Sequence, residues 1–197
     1  MIKKLAKNYL VRRNNRRLKK RIPEMIYSYE HNGVIIPTTR VSNSSVINEP
    51  SNLLLGDFVF IGHFNFIESS NGIEISDGVQ ITNYVSILTH SSHNSIRLYG
   101  KDYQNHSNLI GYKKGKVFIG KYSFVGPHTT ILPGASIGKG SLVKPYSLVK
   151  GEKFPDFSII EGNPAKVVGT TKELDKRFLN DHPELVKLYS QWAEEKK

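Results

Sequence analysis

A parallel β-helix of short strands is the fold class this sequence predicts, and three observations point to it. Aliphatic residues recur at every sixth position from Ile119 through Val125, Ile131, Ile137 and Val143 to Val149. The position four after each of the first five is small, namely Ser123, Thr129, Ala135, Ser141 and Ser147. The same beat runs upstream as Val41-Ile47-Leu53, Leu55-Ile61-Ile67 and Ile75-Ile81-Ile87, each run offset from the last by a slip of two residues. There Ser45, Ser51, Val59, Val79 and Val85 take the small positions. A helix repeats at about 3.6 residues and a half-buried strand at about 2, so this period belongs to a chain that turns a corner after each short strand. Three sides close a triangular coil of about eighteen residues, and coils stack at the strand spacing of roughly 4.8 Å. A sandwich of ordinary strands would alternate instead, with turns every 8 to 12 residues or so.

Each position in the beat has a physical role. The aliphatic side chain fills the prism and the small one lies under a corner. Gly56, Gly62, Gly120, Gly126 and Gly138 each follow an aliphatic residue, where glycine suits the corner backbone. This prism is assigned to residues 35–169.

Before it, residues 1–34 read as a basic helical extension. Met1 to Arg21 holds ten Lys or Arg and no acid, nearly all of the net charge of +11. Ile2, Leu5, Ala6, Tyr9 and Leu10 fall on one face of a helix there. Such a segment packs on a neighbouring subunit, rests on anionic lipid or binds nucleic acid; no basic-aromatic interleaving or reader motif supports the last, and no nucleic-acid partner is expected. After the prism, residues 170–197 read as a helical appendage. Thr170 and Glu173 have capping-box spacing. Pro183 suits a first helical turn, and Leu185, Leu188, Tyr189 and Trp192 share a face beyond it.

The 197 residues suit one domain with appendages. No apolar run approaches the ~20 residues of a bilayer span, and no charged start leads into a signal-peptide core, so a cytoplasmic protein is expected. With no Cys, a thiolate metal site and a cysteine nucleophile are excluded.

The beat breaks after Ile87. From Ile87 to Ile119 is 32 residues, short of the 36 that two coils would take, so a loop over 88–116 is ejected from the prism. It holds His90, His93, Arg97, Tyr99, Lys101, Asp102, Tyr103, Asn105, His106 and Tyr112. A long polar loop on a solenoid that otherwise wastes no residue is a site candidate.

The beat together with Gly162-Asn163-Pro164-Ala165-Lys166 resembles the hexapeptide-repeat acyltransferases, whose last coil ends in such a segment. The resemblance covers roughly residues 41–170 and implies a left-handed coil, an exception to the usual crossover rule. It also implies a homotrimer with sites between subunits, acetyl-CoA as donor, no metal, and a histidine general base at the start of the extended loop. Two histidines compete for that role. His93 sits in Ser92-His93-Asn94, similar to the family's Ser-His-Asp context and favoured on that ground; His90 sits in Thr89-His90, similar to other members.

An imidazole can accept a hydroxyl proton at neutral pH, provided that a carboxylate or carbonyl holds its other nitrogen. Glu68, Glu74 and Asp102 are the candidate carboxylates. Mapped from the family, coenzyme A runs past Gly126-Pro127 and Lys144-Pro145, with Lys150 and Lys166 for its phosphates. Asn83, Tyr84, Tyr99, Asp102 and Tyr103 are placed on the acceptor side. The implied reaction is direct O-acetylation of a sugar hydroxyl, as in capsule or O-antigen synthesis. Acetylation of an amino-sugar nucleotide or an antibiotic is the alternative. A further reading, the β-helical carbonic anhydrases, would need zinc on three of His63, His90, His93, His106 and His128, but the expected His-x-x-x-x-His spacing is missing.

Overall fold

The computed structural model describes residues 22–194; the basic segment 1–21 and its amphipathic face lie outside the described residues. A three-sided parallel prism forms the body. Val41, Ile61, Ile81, Val125, Val143 and Ile160 stack in register along the first face. Ile47, Ile67, Ile87, Ile131 and Val149 stack along the second. On the third, Leu55, Ile75, Ile119, Ile137 and Phe154 form one ladder. Nearly all of these side chains are wholly buried, and each such burial contributes about 1.5–3 kcal/mol.

The slips of two residues have a structural cause. On the third face Leu53–Leu55 and Ile73–Ile75 are three-residue strands, and both ends turn toward the core. That face is one in-out pair wider than the others, so Ile61 lies 20 residues before its partner Ile81, whereas Val125 lies 18 before Val143.

The corners also explain the small positions and the glycines. Ser123 donates its hydroxyl hydrogen to the Gly138 carbonyl at 3.0 Å and Ser147 to the Lys144 carbonyl at 2.7 Å, which satisfies buried corner groups. A Cβ on Gly126 would lie 2.6 Å from the Pro145 nitrogen, and one on Gly138 would lie 2.4 Å from the Asp156 nitrogen. Glycine is required there by the close approach of the next coil, not by an unusual corner backbone as the sequence suggests. The left-handed backbone comes two residues later, where Phe58, Phe64, Tyr84, Tyr122, His128, Tyr146 and Phe157 hold φ between 55 and 61°.

Such conformations cost about 1 kcal/mol or more each, and ring stacking offsets part of this. Phe64, Tyr84, His128 and Tyr146 form a ladder at one corner with centroid spacings of 5.1, 4.9 and 4.8 Å. The spacing matches the strand repeat because equivalent positions on successive coils are one strand apart.

The helical reading of residues 1–34 is corrected where the chain is described. Met25–His31 pairs antiparallel with Val34–Ser42, and the second strand of this hairpin joins the first face. Its two-residue turn is Asn32-Gly33, with φ of 50 and 79°. Asn-Gly is the preferred chemistry for a turn that needs left-handed backbone at both positions.

At the far end Ser158–Gly162 and Ala165–Thr170 close the prism as an antiparallel hairpin around a cis Asn163–Pro164 bond. Thr170 caps the following helix by accepting from the Lys172 N–H at 3.3 Å. In the last helix, Val186–Ala193, Trp192 packs on Tyr122 and Phe157 at 4.7 and 5.7 Å. Lys139 Nζ donates to the carbonyls of Trp192 and Ala193. Of the expected stripe, Tyr189 and Trp192 dock, while Leu185 and Leu188 remain 41% and 60% exposed.

Candidate active site

Ile119 stacks directly on Ile75, and Ile131 directly on Ile87. The chain therefore advances only one prism side between Ile87 and Ile119. This corrects the two-coil arithmetic: one side uses eight of those 32 steps, as Ile67 to Ile75 does one coil below, and the rest are ejected as the loop. His90–Ser91 and Lys113–Lys114 zip the loop's root into a short antiparallel ladder. Above it come a one-turn helix, Ser95–Tyr99, and a 3-10 helix, Gly100–Asn105. The Tyr99 hydroxyl accepts from the Ile110 N–H at 3.0 Å and Ser95 donates to the Ile110 carbonyl at 2.9 Å, so the loop is folded onto itself.

At the root a carboxylate meets an imidazole. Glu68 ends the strand Phe66–Glu68, one coil below Leu88, and is buried. Its Oε2 lies 2.8 Å from Nδ1 of His90. The same oxygen accepts from the Thr89 hydroxyl at 2.7 Å, and Oε1 accepts from the Ser70 N–H at 2.9 Å. Burial opposes the charged form, but the hydrogen bonds from Ser70 and Thr89 prevail and hold the Glu68 carboxyl down at about 2. An ionised Glu68 fixes the proton of His90 on Nδ1 and leaves Nε2 as the nitrogen that can accept one. Tyr112 stacks on the His90 ring at 5.6 Å, and its phenol is pushed up by burial, then by Tyr103 and Glu68, so it stays a neutral donor.

This network carries a stability prediction. Glu68 is held below its ordinary range, so its contribution is present above about pH 4.5 and is lost as pH falls toward about 2. Glu68→Gln has no such contribution to lose. Its unfolding free energy is expected to fall about 1 kcal/mol less than wild type over that interval, after allowance for solvent screening, in urea titrations at successive pH values.

The other expected residues separate. His93 is exposed, and its Nδ1 lies 2.8 Å from the Ser91 hydroxyl. Asp102 pairs with Asn105 and His106, which hold its carboxyl low, while Glu74 pairs with Lys116 at 2.7 Å. Tyr103 lines a cleft of about 580 Å³ beside Tyr112, with Asn71, Ser107, Asn108 and Lys114. Leu109 and Ile110 form its apolar side.

Asn83 and Tyr84 lie at the corner between the first and second faces, away from the loop root. Asn83 accepts from the His63 N–H at 2.7 Å, and Tyr84 lies inside the aromatic ladder. Gly126, Pro127, Lys144 and Pro145 share that corner, and Lys144 pairs with Glu161 at 2.7 Å. Lys150 follows Val149 at the next corner, the one from which the loop emerges on an earlier coil, and Lys166 is exposed on the closing hairpin. The donor-side residues thus divide between edges of one prism. Among the described residues no group of three or more His, Asp or Glu side chains is placed to hold a metal ion.

The fold is the left-handed parallel β-helix of hexapeptide repeats. A maltose O-acetyltransferase from Clostridium difficile 630 superposes with a TM-score of 0.55 at 22% identity, over 65% of this chain and 64% of that one. A galactoside acetyltransferase solved with coenzyme A gives a TM-score of 0.53 at 23% identity, over 68% and 65%. In sequence, the protein named "Putative acetyltransferase YvoF" of Bacillus subtilis (strain 168) is 39% identical over 86 residues, 43% of this chain and 49% of that protein. The chain thus spans about half the length of this curated relative. No family model matches the chain. Glu68 is the residue that local motifs single out least. The signal for it is the 20-residue coil, which puts Ser70 under His90 and Glu68 under Leu88.

Proposed function

We propose that this chain is an acetyl-CoA-dependent O-acetyltransferase that acts on a sugar hydroxyl, with His90 as general base. The observation that carries this reading is the buried Glu68 carboxylate on His90 Nδ1, at the root of the ejected loop and beside a polar cleft. The acceptor hydroxyl gives its proton to Nε2 as its oxygen attacks the thioester carbonyl. The C–S bond then breaks, and the imidazolium returns the proton to the departing thiolate. Glu68 stabilises the imidazolium between those steps. Transfer is direct, through a ternary complex, and a covalent acetyl-enzyme found by mass spectrometry would overturn it.

Acetyl-CoA is the donor in this reading, and the same-fold galactoside acetyltransferase was solved with coenzyme A. Gly126, Pro127, Lys144 and Pro145 of one subunit would face the loop of a neighbour in a homotrimer, with Lys150 and Lys166 near the phosphates. The division of these residues between edges favours a site completed by a second copy. The acceptor would belong to a surface polysaccharide such as capsule or O-antigen.

Thiol release from acetyl-CoA across nucleotide sugars and oligosaccharides tests the activity. Acceptor-dependent release is expected. Neither release nor acetyl-CoA binding would defeat it.

Among the described residues no helix is long and apolar enough to cross a membrane. We place the protein in the cytoplasm, at the membrane face through residues 1–21, where a lipid-linked acceptor would lie. Full-length protein should float with anionic vesicles and lose most of that binding when residues 1–21 are deleted. Equal flotation of both forms would contradict it.

A further inference from the structure

We propose that the cleft beside His90 takes an acceptor bearing a negative charge, a phosphate or carboxylate on the sugar, and that Lys114 selects it; the inference rests on the transfer reading above. His90 and Lys114 are directly paired across the two-stranded ladder at the loop root. Paired residues of an antiparallel ladder project from the same face with Cβ atoms about 4.5–5.5 Å apart, whereas Lys113 projects from the other. Lys114 also lines the cleft, so the residue paired with His90 across the ladder reaches the cavity.

Among the described residues no carboxylate lines this cleft. The nearby acids are engaged elsewhere: Glu68 with Ser70, Thr89 and His90, Glu74 with Lys116, and Asp102 with Asn105 and His106. Among the described residues no ion pair neutralises Lys114. The remaining polar lining, Asn71, Tyr103, Ser107, Asn108 and Tyr112, is uncharged and suits hydroxyl recognition. The cleft is therefore a site of one sign, which concentrates anions.

The chemistry gives a second reason. A bound anion beside Lys114, on the ladder face that carries His90, favours the cationic imidazolium that forms during transfer, and a neutral acceptor does not.

Isothermal titration with coenzyme A present, using galactose, galactose 1-phosphate and galacturonic acid and the matching glucose series, tests the proposal. At least one anionic sugar should bind about tenfold or more tightly than its neutral parent. The phosphate and carboxylate arms identify which anion is preferred. Lys114→Ala should erase the preference and Lys114→Arg should retain it, with unchanged thermal midpoints. Raised salt should weaken the anionic sugar more than the neutral one. Equal binding of neutral and anionic sugars, no binding by any anionic sugar, or a preference that survives Lys114→Ala would overturn it. So would a Lys114→Ala defect confined to coenzyme A affinity. Thiol release with neutral sugars in the same preparations would keep the transferase reading while this inference fails.

Discussion

His90→Ala is expected to lower kcat by about 10² to 10⁴ with little change in the KM for acetyl-CoA, because the variant loses the proton acceptor but none of the donor groove. His93→Ala should stay within about threefold, an exposed imidazole being usually of small consequence. The contrast follows from partners. His90 has a buried, ionised carboxylate on Nδ1, which fixes its tautomer and opposes the charge that it acquires. Among the described residues the His93 ring has the Ser91 hydroxyl at 2.8 Å and no carboxylate. Glu68→Gln should cost about tenfold or more, and in the His90→Ala background it should cost almost nothing further, since residues that act as one unit are not additive. Initial rates of thiol release measure all four proteins. A large loss in His93→Ala with His90→Ala near wild type would move the base to His93.

Ile131→Ala should destabilise the protein by about 2–5 kcal/mol. Ile131 is wholly buried and stacks between Ile87 and Val149 on the second face. The coil cannot collapse around the missing atoms without moving strands held in register on both sides, so a cavity remains. Its neighbour Thr130 faces outward in the same strand, and Thr130→Ala should change stability by no more than about 0.5 kcal/mol. Gly138→Ala tests the corner by the opposite route, since its Cβ would press on the Asp156 nitrogen at 2.4 Å; we expect a loss of about 1–3 kcal/mol. Urea unfolding with an unchanged slope measures each. An Ile131→Ala loss below about 1 kcal/mol would contradict a tightly packed prism.

The prism was legible because its core is one-dimensional. Each aliphatic residue meets the residue one coil away, so a periodic sequence maps directly onto the ladders of Ile61 on Ile81 and Val125 on Val143. Even the slips at Leu53-Leu55 and Ile73-Ile75 have a place in it as the wider third face. What spacing alone could not give was contact across the loop. Whether Ile119 closes two coils or one side depends on where the ejected residues rejoin, and that is set by the ladder of His90–Ser91 on Lys113–Lys114.

The site was legible in its parts. Glu68 stood among three candidate carboxylates, but its meeting with His90, 22 positions later, needs the coil length and the strand register together. The Ser92-His93-Asn94 context says nothing about a residue one coil below, which is why it drew attention to the exposed imidazole. Asn32-Gly33 is a turn signal in the sequence, but the basic run upstream extends a helical pattern up to it, and only the strand pairing separates the two.

The most direct measurement is a crystal structure of the full chain with coenzyme A. The sulfur is expected within about 3.5 Å of His90 Nε2, with Glu68 still on Nδ1 and the pantetheine arm in a groove shared with a neighbouring copy. A sulfur placed beyond reach of His90, at His93 or along a different edge of the prism, would contradict the assignment of this carboxylate-imidazole pair as the catalytic centre.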